Sequence, residues 1–375
     1  MKKIFYSILI FLLILLNFST VCADDVDNEV DFEDTIEVTA SNVSELPKTN
    51  SRRYIVYDRI SKSMIIGKNE DVKSAMASTT KIMTTIVILE KADLNEKVTV
   101  SAKAGGTGGS RLGLKRGDKT SVRDLLYGLM LRSGNDAAVA LAEHVGGSVK
   151  GFAELMNEKA IELGLTNTHF VTPHGLDDAN HYTTALELAK LTDYAMDNET
   201  FAKIVGTKST TIYINNQSRQ INNTNELLGV LNGVVGVKTG FTNNAGRCLV
   251  TETKRNNMDI ITIVLGADTK KDRTKDSVNL IEYTFSKYKM YNLEERIIEE
   301  FNKWKNINEK RILITKGKQN NPKLALGAIE KATIPICDND KIEYSINALT
   351  EVEAPVEQWN VMGTLTVKLN GEILE

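Results

Sequence analysis

The chain is poor in cysteine, in net charge and in long apolar runs, and each shortage closes off a class of protein. Three cysteines, Cys22, Cys248 and Cys337, are spread over 375 residues with no Cys-x-x-Cys pair and no His/Cys cluster, which argues against a disulfide scaffold and against a bound metal. A formal net charge of −3 leaves no basic footprint for nucleic acid or for an anionic membrane surface. No internal repeat or low-complexity core is visible. The one long apolar run, residues 8–16, stands behind Lys2 and Lys3 and ahead of Val21-Cys22-Ala23. That is the pattern of a secretory signal peptide cut after Ala23, and the run is shorter than the ~18–20 residues a membrane span needs. Cutting removes Cys22 and leaves Cys248 and Cys337, far apart in sequence, as free thiols. The sequence stops at Gly371-Glu372-Ile373-Leu374-Glu375 with no basic amphipathic tail. The expectation is an exported protein with no clear membrane anchor.

What is present is a set of three short strings in order: Ser78-Thr79-Thr80-Lys81, Ser133-Gly134-Asn135 and Lys238-Thr239-Gly240. A Ser-x-x-Lys string should occur about once or twice by composition, and Ser286-Lys287-Tyr288-Lys289 is a second one. Each tripeptide is expected roughly 0.1 times, so the ordered set outweighs its members. On a helix, residues three apart share a face, so Ser78 and Lys81 project toward one point. Serine becomes a nucleophile when a base takes its proton, and an amine does so only when neutral. A free lysine has a pKa of about 10.4; burial, a second cation such as Lys238 and a helix N-terminus all push it down. A helix start at Ser78 also aims backbone N–H groups at a developing oxyanion. The following residues, 82–89, are apolar nearly all round, as for a helix in the centre of a domain.

Along the chain, residues 24–37 hold eight acidic side chains among fourteen and read as a solvated arm. Residues 53–58 and 63–66 read as strands across a turn, residues 78–195 as helices alternating with Gly-rich loops, and 235–241, 247–253 and 259–266 as an antiparallel meander. Ser133-Gly134-Asn135 falls at the break between two helical patterns. After a charged stretch at 292–305, residues 311–315, 341–346 and 364–369 alternate apolar with polar, as in a small β domain. The organisation expected is a signal peptide over 1–23, an acidic disordered arm over 24–46, a catalytic domain over 47–292 and a small β domain over 298–375.

The three strings, with Pro173-His174-Gly175-Leu176-Asp177-Asp178, His181-Tyr182-Thr183-Thr184 and Ala245-Gly246 between and after them, resemble the low-molecular-mass penicillin-binding proteins that are serine D-alanyl-D-alanine carboxypeptidases. The resemblance runs from about residue 50 to the C-terminus. It departs at Met76, where that family usually has a proline. It implies a mixed α/β transpeptidase- and β-lactamase-like catalytic domain, with an antiparallel sheet and a helical subdomain, and a small all-β C-terminal domain. It implies removal of the terminal D-alanine from peptidoglycan pentapeptide stems ending in D-Ala-D-Ala, β-lactams as inhibitors, and no cofactor.

By the same resemblance Ser78 is the nucleophile and Lys81 its base, while Ser133 relays protons and Asn135 holds the substrate's peptide group. Lys238 and Thr239 bind the terminal carboxylate, next to Gly240, and the N–H groups of Ser78 and Phe241 form the oxyanion hole. Strand alternation would send Lys238 and Thr239 to opposite faces, so a twist or bulge is expected there. Arg273, just after the last core strand, is a further candidate for the carboxylate. Four other readings compete with this one. His174 and His181 with Asp177 and Asp178 would suit zinc or a Ser-His-Asp system, but no H-E-x-x-H or G-x-S-x-G string occurs. The run at 104–111 lacks Walker spacing and reads as a mobile loop near the cleft. A class A-like β-lactamase needs a Glu-x-x-Leu-Asn string, and Glu162-Leu163-Gly164-Leu165-Thr166-Asn167 sets asparagine one place late. A catalytically silent wall-binding or penicillin-sensing protein is the remaining alternative.

Overall fold

The computed structural model describes residues 45–318 and 321–374. The expected signal peptide and most of the acidic arm lie outside them. Five antiparallel strands form the central sheet: β1 (Arg53–Asp58), β2 (Ser63–Lys68), β7 (Val234–Thr242), β8 (Gly246–Arg255) and β9 (Met258–Ala267). Their spatial order is β2-β1-β9-β8-β7, so β7 is an edge. The expected meander is present, with Lys238 opposite Val250 and Val250 opposite Ile263. Strand alternation sorts the side chains between two cores. Ile55, Tyr57, Val250, Ile261 and Ile263 face the helical side, while Tyr54, Val56, Leu249, Ile260 and Val264 face the opposite core.

The helical side is built on α1 (Lys81–Lys91), whose Ile82, Met83, Ile86, Val87 and Ile88 are all buried. Around it stand α2 (Val122–Leu131), α3 (Asn135–Gly146), α4 (Val149–Glu162), α5 (Ala185–Met196) and α6 (Glu199–Val205). A β-branched run such as 84–88 has weak intrinsic helix preference; burial on every side overrides it. Four short strands, β3 (Lys97–Thr99), β4 (Lys119–Ser121), β5 (Ser209–Ile214) and β6 (Gln217–Asn222), make a second sheet beside these helices. On the other face lies α7 (Lys270–Lys287), with Val278, Leu280 and Ile281 packed on the sheet.

After Lys287 come β10 (Tyr288–Asn292), α8 (Leu293–Asn308), β11 (Leu313–Thr315), β12 (Thr333–Cys337), β13 (Ile342–Ala348), β14 (Glu351–Glu353), β15 (Gly363–Leu369) and β16 (Glu372–Ile373). They pair as β10-β12, β11-β14 and β13-β15-β16. The charged stretch after 292 is a helix with an apolar stripe: Leu293 and Ile297 join Ile334 and Val367 in a small core of their own. Asn292 caps it, accepting from Glu295 N at 2.9 Å. Among the described residues no helix is long and apolar enough to cross a membrane.

Candidate active site

Ser78 sits in a 3-10 turn, Ala77–Thr80, that runs straight into α1, so Lys81 is the first residue of the buried helix. Ser78 is 2% exposed and Lys81 fully buried. Lys81 Nζ lies 2.6 Å from Ser78 Oγ, 2.7 Å from Asn135 Oδ1 and 3.0 Å from the His174 carbonyl oxygen. A neutral amine has two N–H donors and one lone pair. When Lys81 is deprotonated, donors given to the two carbonyl-type oxygens would leave its lone pair for the Ser78 hydroxyl.

Asn135 begins α3, and the break before it is made by Ser133, whose φ of 56° is left-handed, and by Gly134 at the N-cap. Its amide bridges two parts of the site, since Oδ1 faces Lys81 and Nδ2 donates to the Gly108 carbonyl at 2.9 Å. The neighbouring Asp136 accepts from Leu112 N and Leu114 N, each at 2.9 Å. The loop at 108–114 is thus tied to the second motif, where the sequence suggests a mobile loop. Ser133 Oγ is buried and meets no protein partner among the described residues.

The third motif lies on β7, whose edge runs along the nucleophile turn. Gly240 makes that approach feasible: a Cβ there would lie 3.0 Å from Ser78 N and 3.2 Å from Ala77 Cβ. Lys238 and Thr239 are both buried. The expected irregularity sits earlier, as a register shift between Val234 and Gly236. From Gly236 on, pairing with β8 is regular, and Lys238 Nζ donates to the Thr239 carbonyl at 2.9 Å. The Thr239 hydroxyl meets that of Thr224 at 2.8 Å. The Phe241 ring lies under the Arg247 guanidinium, 3.8 Å from its centroid.

Arg273 is in the first turn of α7 and fully buried. Its guanidinium reaches Glu226 at 3.2 Å, two residues along from Thr224. Burial alone would raise the Glu226 carboxyl, but Arg273, Thr274 and Lys270 outweigh it and hold it below the usual range. Sequence reasoning missed Glu226, because nothing local marks a carboxylate whose partner is 47 residues away. It also missed the role of His174, whose backbone oxygen meets Lys81; side-chain patterns cannot reveal a carbonyl. The His174 ring is pushed down to about 3 by burial and then by the Lys81 charge. The rival zinc reading fails on placement, since His181 Nε2 meets Thr80 Oγ1 at 2.8 Å and Asp177 accepts from Thr242 Oγ1 at 2.5 Å. The second Ser-x-x-Lys leads nowhere: Ser286 donates to the Tyr283 carbonyl at an exposed helix end.

The family model described as D-alanyl-D-alanine carboxypeptidase matches residues 39–269. The chain belongs to this family. It is 34% identical over 327 residues to the D-alanyl-D-alanine carboxypeptidase DacF of Bacillus subtilis, covering 85% of this chain and 82% of that one. It is 34% identical over 366 residues to DacC of Escherichia coli, covering 90% and 84%. Among solved structures, the DD-transpeptidase of Streptomyces K15 superposes with a TM-score of 0.61 at 34% identity, over 64% of this chain and 99% of that one. The D-alanyl-D-alanine carboxypeptidase DacD of Francisella tularensis superposes with a TM-score of 0.70 at 26% identity, over 88% and 92%. The expected mixed α/β fold is that of these solved structures, and strands pair near the C-terminus of this chain.

Proposed function

We propose that this serine D-alanyl-D-alanine carboxypeptidase removes the terminal D-alanine of peptidoglycan stem peptides through an acyl-enzyme on Ser78. The observation that carries the assignment is the arrangement around Lys81, whose Nζ lies within hydrogen-bond distance of Ser78 Oγ and of two carbonyl oxygens that orient it. In acylation the Ser78 proton passes to Lys81 Nζ as Oγ attacks the carbonyl of the penultimate D-alanine. The resulting oxyanion is held by the N–H groups of Ser78 and Phe241. When the tetrahedral intermediate collapses, the proton goes to the departing amine of D-alanine, relayed by the Ser133 hydroxyl. Water then attacks the Ser78 ester, and its proton returns by the same groups. Lys238, Thr239 and Arg273 hold the substrate's terminal carboxylate, which suits a free C-terminus. The substrate lies outside the cytoplasmic membrane, where the leader expected over 1–23 would deliver the chain. β-Lactams acylate the same serine.

The test is direct. The wild type should release D-alanine from a diacyl-Lys-D-Ala-D-Ala peptide and gain the mass of one β-lactam. Ser78→Ala should lose the adduct and about 10⁴-fold or more of the turnover. An adduct that persists in Ser78→Ala, or that maps to Ser286, would overturn the assignment. Rapid hydrolysis of the β-lactam with no action on the peptide would favour the β-lactamase alternative.

A further inference from the structure

The residue before the nucleophile is held in an unfavourable conformation. Ala77 has φ of 47°, a region that non-glycine residues seldom occupy and that persists only when its surroundings over-determine it. Several contacts converge on this turn. Gly175 is packed so tightly against it that a Cβ would lie 1.9 Å from the Ala77 carbonyl oxygen. The Thr79 hydroxyl donates to the Met76 carbonyl at 2.6 Å, and the Thr80 hydroxyl donates to the Ala77 carbonyl at 2.8 Å. The Thr80 bond has a second partner, which comes from 101 residues away: His181 Nε2, at 2.8 Å.

The direction of that contact follows from the other side of the ring. Val171 N donates to His181 Nδ1 at 3.0 Å and Thr172 N approaches it at 3.4 Å. A nitrogen that accepts carries no proton, so in the neutral ring the proton is on Nε2 and is donated to Thr80 Oγ1. With a lone pair so occupied, the Thr80 hydroxyl has its own proton directed at the Ala77 carbonyl. Burial pushes the imidazole down to about 4, so the ring stays neutral across the ordinary working range. Phe170 closes over it, edge to face, at 5.7 Å.

We infer that His181 is a positioning residue, which acts through Thr80 to hold the Ala77 carbonyl and so aims Ser78 Oγ at Lys81 and at the substrate. The inference rests on the reading of Ser78 as nucleophile. It separates two parts that the ring plays: Nδ1 anchors the segment at 171–172, and Nε2–H serves the nucleophile turn.

Substitutions can divide those parts. Thr80→Val keeps the volume and removes the hydroxyl, and Thr80→Ser restores it. His181→Gln can present a donor where Nε2 stood, whereas His181→Asn presents an acceptor where Nδ1 stood and no donor toward Thr80. The readout is the rate of β-lactam acylation followed by mass, resolved into the saturating rate and the non-covalent dissociation constant, with melting temperature measured alongside. Misplacement of a reacting atom by about 1 Å costs on the order of 100-fold. Thr80→Val and His181→Asn should therefore lower the saturating rate about 10- to 100-fold with the dissociation constant unchanged. Thr80→Ser and His181→Gln should stay within a few-fold of wild type. In the ¹⁵N spectrum His181 should appear with Nε2 protonated and Nδ1 bare. Thr80→Val acylating at the wild-type rate, His181→Asn outpacing His181→Gln, or the opposite tautomer would each overturn the inference alone. A wild type that takes up no β-lactam would overturn the Ser78 reading and this inference with it.

Discussion

Lys238 and Arg273 are the two cations proposed to meet the substrate's terminal carboxylate, and both are buried to within 1%. Each is already matched to protein oxygen, Lys238 to the Thr239 carbonyl and Arg273 to Glu226. In that proposal the carboxylate adds charge-assisted bonds to the contacts these cations already make, and a neutral end group forfeits them. Amidating the substrate's terminal carboxylate should lower kcat/KM by about 100-fold or more, equivalent to roughly 3 kcal/mol or more. Lys238→Ala should lose most of this discrimination between acid and amide. Parallel assays of the two peptides with both proteins read the effect, and equal rates with the wild type would show that the specificity has been misread.

The edge of β7 has to lie close to the turn that carries Ser78, and at Gly240 there is no room for a side chain. In Gly240→Ala the new Cβ would stand 3.0 Å from Ser78 N, so the strand or the turn must move by a few tenths of an ångström. The backbone at this position lies outside the left-handed region, so alanine itself fits the strand. Activity should fall by about 10- to 100-fold, while the melting temperature changes little. A large loss of stability with the remaining folded protein fully active would mean that the contact serves the fold and not the site. The same scale explains α8. Its charged composition conceals a helix whose apolar stripe is narrow, and the signal that marks it is Asn292 followed three residues on by Glu295, the spacing of a capped N-terminus.

Across the whole molecule, the sheet and the helices are joined by charges centred on Arg59, which follows β1. Its guanidinium donates to Asp193 of α5 at 2.9 Å, to Asp197 at 2.6 Å, to Glu252 of β8 at 2.7 Å and to Asp259 of β9 at 3.1 Å. Lys62 and Lys254 add charge at the rim. Glu252 is fully buried, and burial, then the nearby Asp259, push its carboxyl up to about 7, against the pull of Arg59 and Lys254. The folded state then binds this proton more tightly than the unfolded chain does. Its contribution to stability is complete below the ordinary Glu value of about 4.3 and is lost as pH rises through about 7. The melting temperature of the wild type should therefore fall relative to that of Glu252→Gln over that interval and run parallel to it above. Thermal melts of both proteins from acid to mildly alkaline pH measure the difference, and a constant offset would refute the assignment.

The sequence by itself determined the chemistry and much of the local structure. Ser78 and Lys81 are three residues apart, so helical geometry brings them together without help from the rest of the chain. Short β-rich apolar runs placed β1, β2 and the meander β7–β9, and the apolar run after Lys81 placed the central helix, because burial on every face leaves a composition that needs no partner to be read. Only the tertiary structure decided how the three motifs meet. The His174 carbonyl beside Lys81, the Glu226 carboxylate on Arg273, the approach of Gly240 to Ser78 and the His181–Thr80 contact all join segments tens to more than a hundred residues apart. Two of them also turn on backbone atoms or on the absence of a side chain. Such contacts are set by how helices and sheet pack. Packing depends on the summed shape of many side chains, so no short stretch of sequence records it.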